Sequence, residues 1–260
     1  MSSTNRSLRL RIFAGPNGSG KSTIVEAVRN HKVRSIPIDF GIYINADDIA
    51  RALREKSFSF KTYKVTVYHD EFVTHAISSG LINKDFSSSK FKKSYKLENN
   101  KIELIDTKAD ERLAQLIADF LRRKLLQEKK KFSFETVFSH PSKLDIIKEA
   151  AGAGYKVYLY FVSTENPEIN KYRVKLRVKE GGHAVPEDKI EQRYYRSLEL
   201  LHEAAQYTYQ SFFFDNSTNG EEFRLFAHFK KVKGEKKWDY MDSEFPDWFI
   251  KYYSNKIKKK

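Results

Sequence analysis

The sequence predicts an α/β fold of three layers, with helices covering both faces of a parallel five-stranded sheet. Three observations lead there. The glycine-rich segment Gly15–Ser22 follows directly on the apolar-rich run Leu8, Leu10, Ile12, Phe13. Strand-like and helix-like stretches then alternate along much of the chain. Tyr155–Val162 is nearly continuous in apolar and aromatic character, which marks a strand buried on both faces.

Taken in order, a first strand near residues 8–13 runs into the glycine-rich turn and a helix through Val28. A second strand, Gly41–Asn45, leads into Ala46-Asp47-Asp48-Ile49. Phe132–Phe138, Tyr155–Val162 and Ser211–Phe214 supply the third, fourth and fifth strands. Leu113, Leu116, Ile117, Phe120, Leu121 and Leu125 recur at helical spacing, so residues 109–127 form an amphipathic helix. Asn166-Pro167 is a cap followed by proline at the first helical position, opening a helix through about Val178. Gly181-Gly182-His183-Ala184-Val185-Pro186 reads as a lid, and Ile190, Tyr194, Leu198 and Leu201 mark the helix behind it.

Residues 52–107 break the alternation and are expected to form an inserted subdomain. Within them lie a helix-like piece around His69–Leu81, a polar stretch at Ser87–Lys90, and a hairpin of Tyr95–Leu97 with Ile102–Leu104 around Asn99-Asn100. Residues 221–260 form a C-terminal extension with an added strand at 223–232 and a helix at 247–257. The whole, residues 1–260, reads as a single domain.

The chemistry starts at Gly15-Pro16-Asn17-Gly18-Ser19-Gly20-Lys21-Ser22, with Thr23 behind it. A strand that delivers glycines into a helix N-terminus aims backbone N–H groups and the helix dipole at phosphate oxygens. Lys21 is placed to reach β- and γ-phosphates, and Ser22 to ligate Mg²⁺. The fold is therefore that of a P-loop NTPase, nucleotide-kinase-like, with ATP and Mg²⁺ as expected cofactors. A guanine-reading Asn-Lys-x-Asp behind a strand is missing, which argues against a GTP switch.

The net charge of +14 is gathered at Lys90–Lys96, Arg122–Lys131, Lys230–Lys237 and Lys256–Lys260. These patches attract polyanions or are solvated faces, and their scatter over different elements disfavours a dedicated nucleic-acid surface. There is no cysteine, so thiolate metal sites and disulfides are excluded. No run of about 18 apolar residues is present, so the expectation is a cytoplasmic protein without a membrane partner.

Asp47, at the carboxyl end of the second strand, is the candidate base for a substrate hydroxyl. Asp48 either joins it in binding substrate or caps the helix Ile49–Leu53. Glu135 and Thr136, at the end of the third strand, emerge on the same edge to hold substrate hydroxyls or a Mg²⁺-bound water. Arg173 and Arg177 share a helix face before the lid, and Arg193 and Arg196 one after it. Both pairs could close on phosphate, as could His183, or remain solvated. Asn216 behind the fifth strand either flanks the adenine or ends the strand.

Together, Gly15–Thr23, Ile44-Asn45-Ala46-Asp47-Asp48-Ile49-Ala50, Phe134-Glu135-Thr136, residues 173–186 with Ile190, Arg193 and Arg196, and Phe214-Asp215-Asn216-Ser217 resemble the zeta-toxin family of P-loop kinases. The resemblance implies an ATP-dependent kinase for a hydroxyl of a UDP-activated amino sugar. It further implies Asp47 as the base, Lys21 and Ser22 on ATP and Mg²⁺, Glu135 orienting substrate, and Arg173 and Arg177 stabilising the γ-phosphoryl. An antitoxin protein becomes a candidate partner. The rival readings are a polynucleotide or other small-molecule kinase, and a non-catalytic ATP-gated binding module.

Overall fold

The computed structural model describes residues 7–55, 57–84, 86–182 and 184–257. In chain order the strands are β1 (Arg9–Ala14), β2 (Lys32–Val33), β3 (Ile36–Pro37), β4 (Ile42–Ile44), β5 (Phe58–Ser59), β6 (Tyr95–Glu98), β7 (Lys101–Leu104), β8 (Phe132–Thr136), β9 (Lys156–Ser163), β10 (Gln210–Asp215), β11 (Arg224–Val232) and β12 (Glu235–Tyr240). The main helices are α1 (Lys21–Asn30), α2 (Ala46–Glu55), α3 (His69–Ser78), α4 (Ser88–Lys93), α5 (Asp110–Gln127), α6 (Ser142–Gly152), α7 (Pro167–Lys179) and α8 (Glu187–Tyr207). They fall into two compact units, Met1–Phe40 with Ser133–Lys260, and Gly41–Phe132.

The first unit is α/β, built on a sheet of order β12-β11-β10-β9-β1-β8. β9 sits between β1 and β10, parallel to both, with Leu159 opposite Ile12 on one side and Ser211 on the other. Leu10, Ile12, Val157, Leu159 and Phe161 are fully buried, which is why these strands read as apolar runs rather than alternations. Helix α1 turns Ile24, Val25 and Val28 inward. Helix α7 starts where Asn166 accepts from the N–H groups of Glu168 and Ile169, with Pro167 in its first turn.

Beyond β10 the sheet is extended by the antiparallel hairpin β11–β12, turned by Lys233 (φ 51°) and Gly234 (φ 86°) between the paired Val232 and Glu235. Two consecutive positive φ values suit a two-residue hairpin turn. Charged residues fill β12, but its inner residue Trp238 packs on Phe213, Phe229 and Tyr253. The helical residues 247–257 add Phe249 and Tyr253 to this aromatic cluster. Phe213 lies at its centre with no exposed surface. Phe213→Ala is expected to cost about 3–5 kcal/mol in a denaturant titration.

In the second unit, the N–H of Ile42 in β4 donates to the Lys131 carbonyl at 3.0 Å. Helices α2 and α5 pack together, and Arg54 bridges to Asp110 at 2.6 Å. A small sheet of order β5-β7-β6 turns at Asn99 (φ 50°) and Asn100 (φ 64°). The Asn100 side chain accepts from Val67 N–H and donates to the Val65 carbonyl, fixing the neighbouring loop. Phe60, Phe72, Phe91, Tyr95 and Phe120 form the buried aromatic centre of this unit. Residues 52–107 lie within this unit. Among the described residues no helix is long and apolar enough to cross a membrane.

Candidate phosphate-binding site

The turn between β1 and α1 is shaped by contacts that leave no room for side chains. A Cβ on Gly20 (φ 93°) would stand 2.2 Å from the Asn216 amide nitrogen, and one on Gly18 (φ 74°) 2.7 Å from the Asn170 carbonyl. Gly20→Ala therefore meets both a clash and an unfavourable backbone region costing about 1–2 kcal/mol. Its expected result is at least about tenfold weaker nucleotide binding by calorimetry. Helix α1 begins at Lys21 with no side-chain cap, so its first N–H groups stay available to an anion.

The carbonyls of the turn are tied back. Lys21 Nζ donates to the Pro16 carbonyl at 2.8 Å, Asn170 Nδ2 to the Asn17 carbonyl at 2.5 Å, and Asn216 Nδ2 to the Ser19 carbonyl at 2.9 Å. In a trans peptide the N–H of the following residue points the opposite way from the carbonyl. Holding these carbonyls thus turns the N–H groups of Asn17, Gly18 and Gly20 away from the side chains that hold them. Ser19 Oγ is fully buried with no partner among the described residues. An orphan hydroxyl, a cradle of glycines and an uncapped helix start are a donor set that fits a phosphate group.

Glu135 stands beside this turn, and its Oε2 accepts from Ser22 Oγ at 3.3 Å. Thr23 is exposed in the first turn of α1. Thr136 is buried, and its hydroxyl accepts from the N–H of Phe138, supporting a turn at positive φ (59°).

Arg173 on α7 is held by three acceptors on one loop: Asn216 O at 2.7 Å, Asn219 Oδ1 at 2.9 Å and Thr218 O at 3.1 Å. Burial lowers the pKa of its guanidinium, and the Asp215 carboxylate opposes that. Asp215 itself accepts from Trp248 Nε1 at 2.9 Å and from Ser217 Oγ at 2.8 Å, so the C-terminal extension is fastened to the same loop. Arg177 is exposed near the end of α7, where its carbonyl takes the Gly182 N–H at 2.9 Å. Arg193 on α8 reaches Asn17 Oδ1 at 3.4 Å, while Arg196 is exposed. His183 lies outside the described residues. Lys171 links α7 to α8 through Glu191 at 2.6 Å.

Asp47 and Asp48 belong to the second unit. Asn45 Oδ1 takes the Asp47 N–H at 2.8 Å, so Asn45 caps α2 and that helix starts at Ala46. This corrects the expectation that Asp48 caps a helix beginning at Ile49. Asp48 instead pairs with Arg51 one turn on, and its charge adds to a coulombic rise of the Tyr63 pKa to about 12, which burial dominates. Asp47 is exposed, and among the described residues nothing engages its carboxylate.

The structure therefore gathers Gly15–Thr23, Glu135, Arg193 and Asn216 around one turn, and gives Arg173 to the neighbouring loop. Sequence reasoning missed Asn170, which is fully buried and touches the turn through both its amide and its backbone. The signal was thin: a single polar residue on the inward side of α7, four positions after the cap.

The sequence model of the zeta-toxin family matches residues 88–221, just over half of the chain. That stretch takes in Glu135, α7, residues 181–186, α8 and Asn216, and does not include the glycine-rich turn. A protein of Haemophilus influenzae (strain ATCC 51907 / DSM 11121 / KW20 / Rd), described as uncharacterized, is 38% identical over 63 residues, or 24% of this chain. The match spans 45% of that relative's length. Among solved structures, a chain in the crystal structure of AvrRxo1-ORF1:AvrRxo1-ORF2 with sulphate ions is 16% identical, with a TM-score of 0.51 over 96% of this chain and 65% of that one. A chain from the PezAT chromosomal toxin–antitoxin system of Streptococcus pneumoniae is 11% identical, with a TM-score of 0.45 over 83% of this chain and 70% of that one. The structural likeness to the AvrRxo1 complex speaks for the fold, and the matched half of the sequence decides the lineage: the chain belongs to the zeta-toxin family.

Proposed function

We propose that the protein is an ATP-dependent phosphotransferase that moves the γ-phosphoryl group to a hydroxyl of a small acceptor, a UDP-activated amino sugar. The observation that carries this reading is the turn 15–20, whose carbonyls are tied back while Ser22 and Glu135 meet at its edge. The N–H groups of the turn and the Lys21 ammonium bind the triphosphate tail. Ser22, with Glu135 behind it, would hold Mg²⁺, which when bound neutralises charge on the β- and γ-oxygens.

Asp47 accepts the proton of the acceptor hydroxyl as its oxygen attacks phosphorus, and the phosphorus–oxygen bond to ADP breaks in line. Glu135 and Thr136 with Asp48 orient the acceptor. Arg177 before the lid and Arg193 and Arg196 behind it supply positive charge, and His183 is a further candidate contact for phosphate. Arg173 acts through its loop, keeping Asn216 where it borders the nucleotide. Membership of the zeta-toxin family supports an antitoxin protein as partner.

The net charge of +14 favours one second reading, a kinase for nucleic-acid ends. Incubation with γ-labelled ATP and separate pools of nucleotide sugars and 5′-hydroxyl oligonucleotides decides between them. Label in the sugar pool is the expected result. Label confined to oligonucleotides transfers the activity to the second reading, and label in neither pool removes both.

A further inference from the structure

We infer that Asn170 is a positioning residue for the phosphate-binding turn, one that orients its Asn17–Gly18 peptide from the helix that leads into the lid. This rests on the reading that the turn holds a nucleoside triphosphate. Asn170 lies in α7 with no exposed surface. Its Oδ1 accepts from the Thr164 hydroxyl, and its Nδ2 donates to the Asn17 carbonyl at 2.5 Å.

The chemistry of the partners fixes the amide's direction. A backbone carbonyl only accepts, so nitrogen must face Asn17 and oxygen must face Thr164. The Thr164 carbonyl is held in turn by Tyr194 Oη on α8 at 2.6 Å. A chain of hydrogen bonds, buried up to its part-buried last link, therefore starts at α8, passes through Thr164 and Asn170, and ends on the turn.

The consequence is directional. With the Asn17 carbonyl drawn toward α7, the Gly18 N–H of the same trans peptide faces the other way. A Cβ on Gly18 would meet the Asn170 carbonyl oxygen at 2.7 Å, so only a glycine fits where the turn passes α7. Asn216 does the same for the Ser19–Gly20 peptide from the other side, through the Ser19 carbonyl at 2.9 Å. The two asparagines preset donor directions that a free glycine-rich turn would have to find on binding, and such presetting raises affinity. Because α7 also carries Arg173, which grips residues 216–219, one helix steadies both segments.

The test uses Asn170→Asp, which keeps the acceptor for Thr164 and loses the donor to Asn17. Thr164→Val leaves the donor but removes what aims it, and is the second variant should the first fail to fold. Three readouts are taken on the full chain: hydrogen exchange of residues 16–20, calorimetric binding of Mg-ATP, and steady-state kinetics with the accepting pool. The expected result is faster exchange confined to the turn, about tenfold weaker Mg-ATP binding, and a KM for ATP that rises more than kcat falls. Thr164→Val should move all three in the same direction by less.

Unchanged exchange in the turn, or changed exchange with wild-type Mg-ATP affinity, overturns the inference. So does a loss of protection spread over β1 and α7 in both variants, which marks Asn170 as merely structural. Wild-type protein that gives no heat with Mg-ATP sinks the phosphotransferase reading instead. In that case the exchange arm still decides whether Asn170 holds the turn.

Discussion

Lys21→Ala is expected to reduce phosphate transfer by about a thousandfold or more and to weaken Mg-ATP binding with it. The side chain sits at the first position of α1 and folds over the turn, where Nζ meets the Pro16 carbonyl at 2.8 Å. An ammonium there does two things. It opposes the charge of the β- and γ-phosphates, and it holds the peptide between Pro16 and Asn17 in place. Lys21→Met keeps the aliphatic stem and discards the charge, so it should be nearly as defective as alanine. Lys21→Arg retains charge but not the compact ammonium geometry, and partial activity is the expected outcome. Steady-state kinetics together with calorimetry on the three variants separates the contributions. Wild-type turnover by Lys21→Ala would remove the turn from the reaction.

Asp47→Asn should lower turnover by about 10²–10⁴-fold while leaving the affinity for Mg-ATP within about twofold of wild type. The change is nearly isosteric, and the helix start does not depend on it, because Asn45 Oδ1 binds the Asp47 backbone N–H rather than its carboxylate. What is lost is the capacity to accept the proton from the acceptor hydroxyl. Measurement of kcat with the labelled acceptor gives the answer, and a variant that transfers at the wild-type rate assigns the base elsewhere.

The parts of the site that could be read from sequence are those where the backbone itself is constrained. Gly18 and Gly20 are required by left-handed backbone and by neighbours at 2.7 and 2.2 Å, so composition alone exposed the turn. The parallel core was legible for a similar reason, since burial on both faces leaves β9 almost no freedom of composition. Tertiary placement carried the rest. Asn170 is one polar residue in a helix until α7 is docked against the turn, and Arg173 looks like a phosphate ligand until the loop 216–219 is seen around it.

Strand β12 hid behind its charges, because Lys236 stands on the same aromatic cluster as Trp238 and breaks the apolar alternation. Helix α4 was read as a polar stretch because Ser87, its cap, and the lysines after it resemble a loop, whereas the buried Phe91 anchors it. Helix α6 went unread although Leu144, Ile146, Ile147 and Ala150 are all buried. At α2 two carboxylates drew the eye from Asn45, the residue that actually caps.

Calorimetric titration of Mg-ATP into the wild-type protein and into Lys21→Ala, side by side, tests the account most directly. Saturable uptake of one equivalent by the wild type, lost in the variant, is the predicted result. No uptake by either protein, or equal affinity in both, would contradict the assignment of the turn as the seat of the triphosphate.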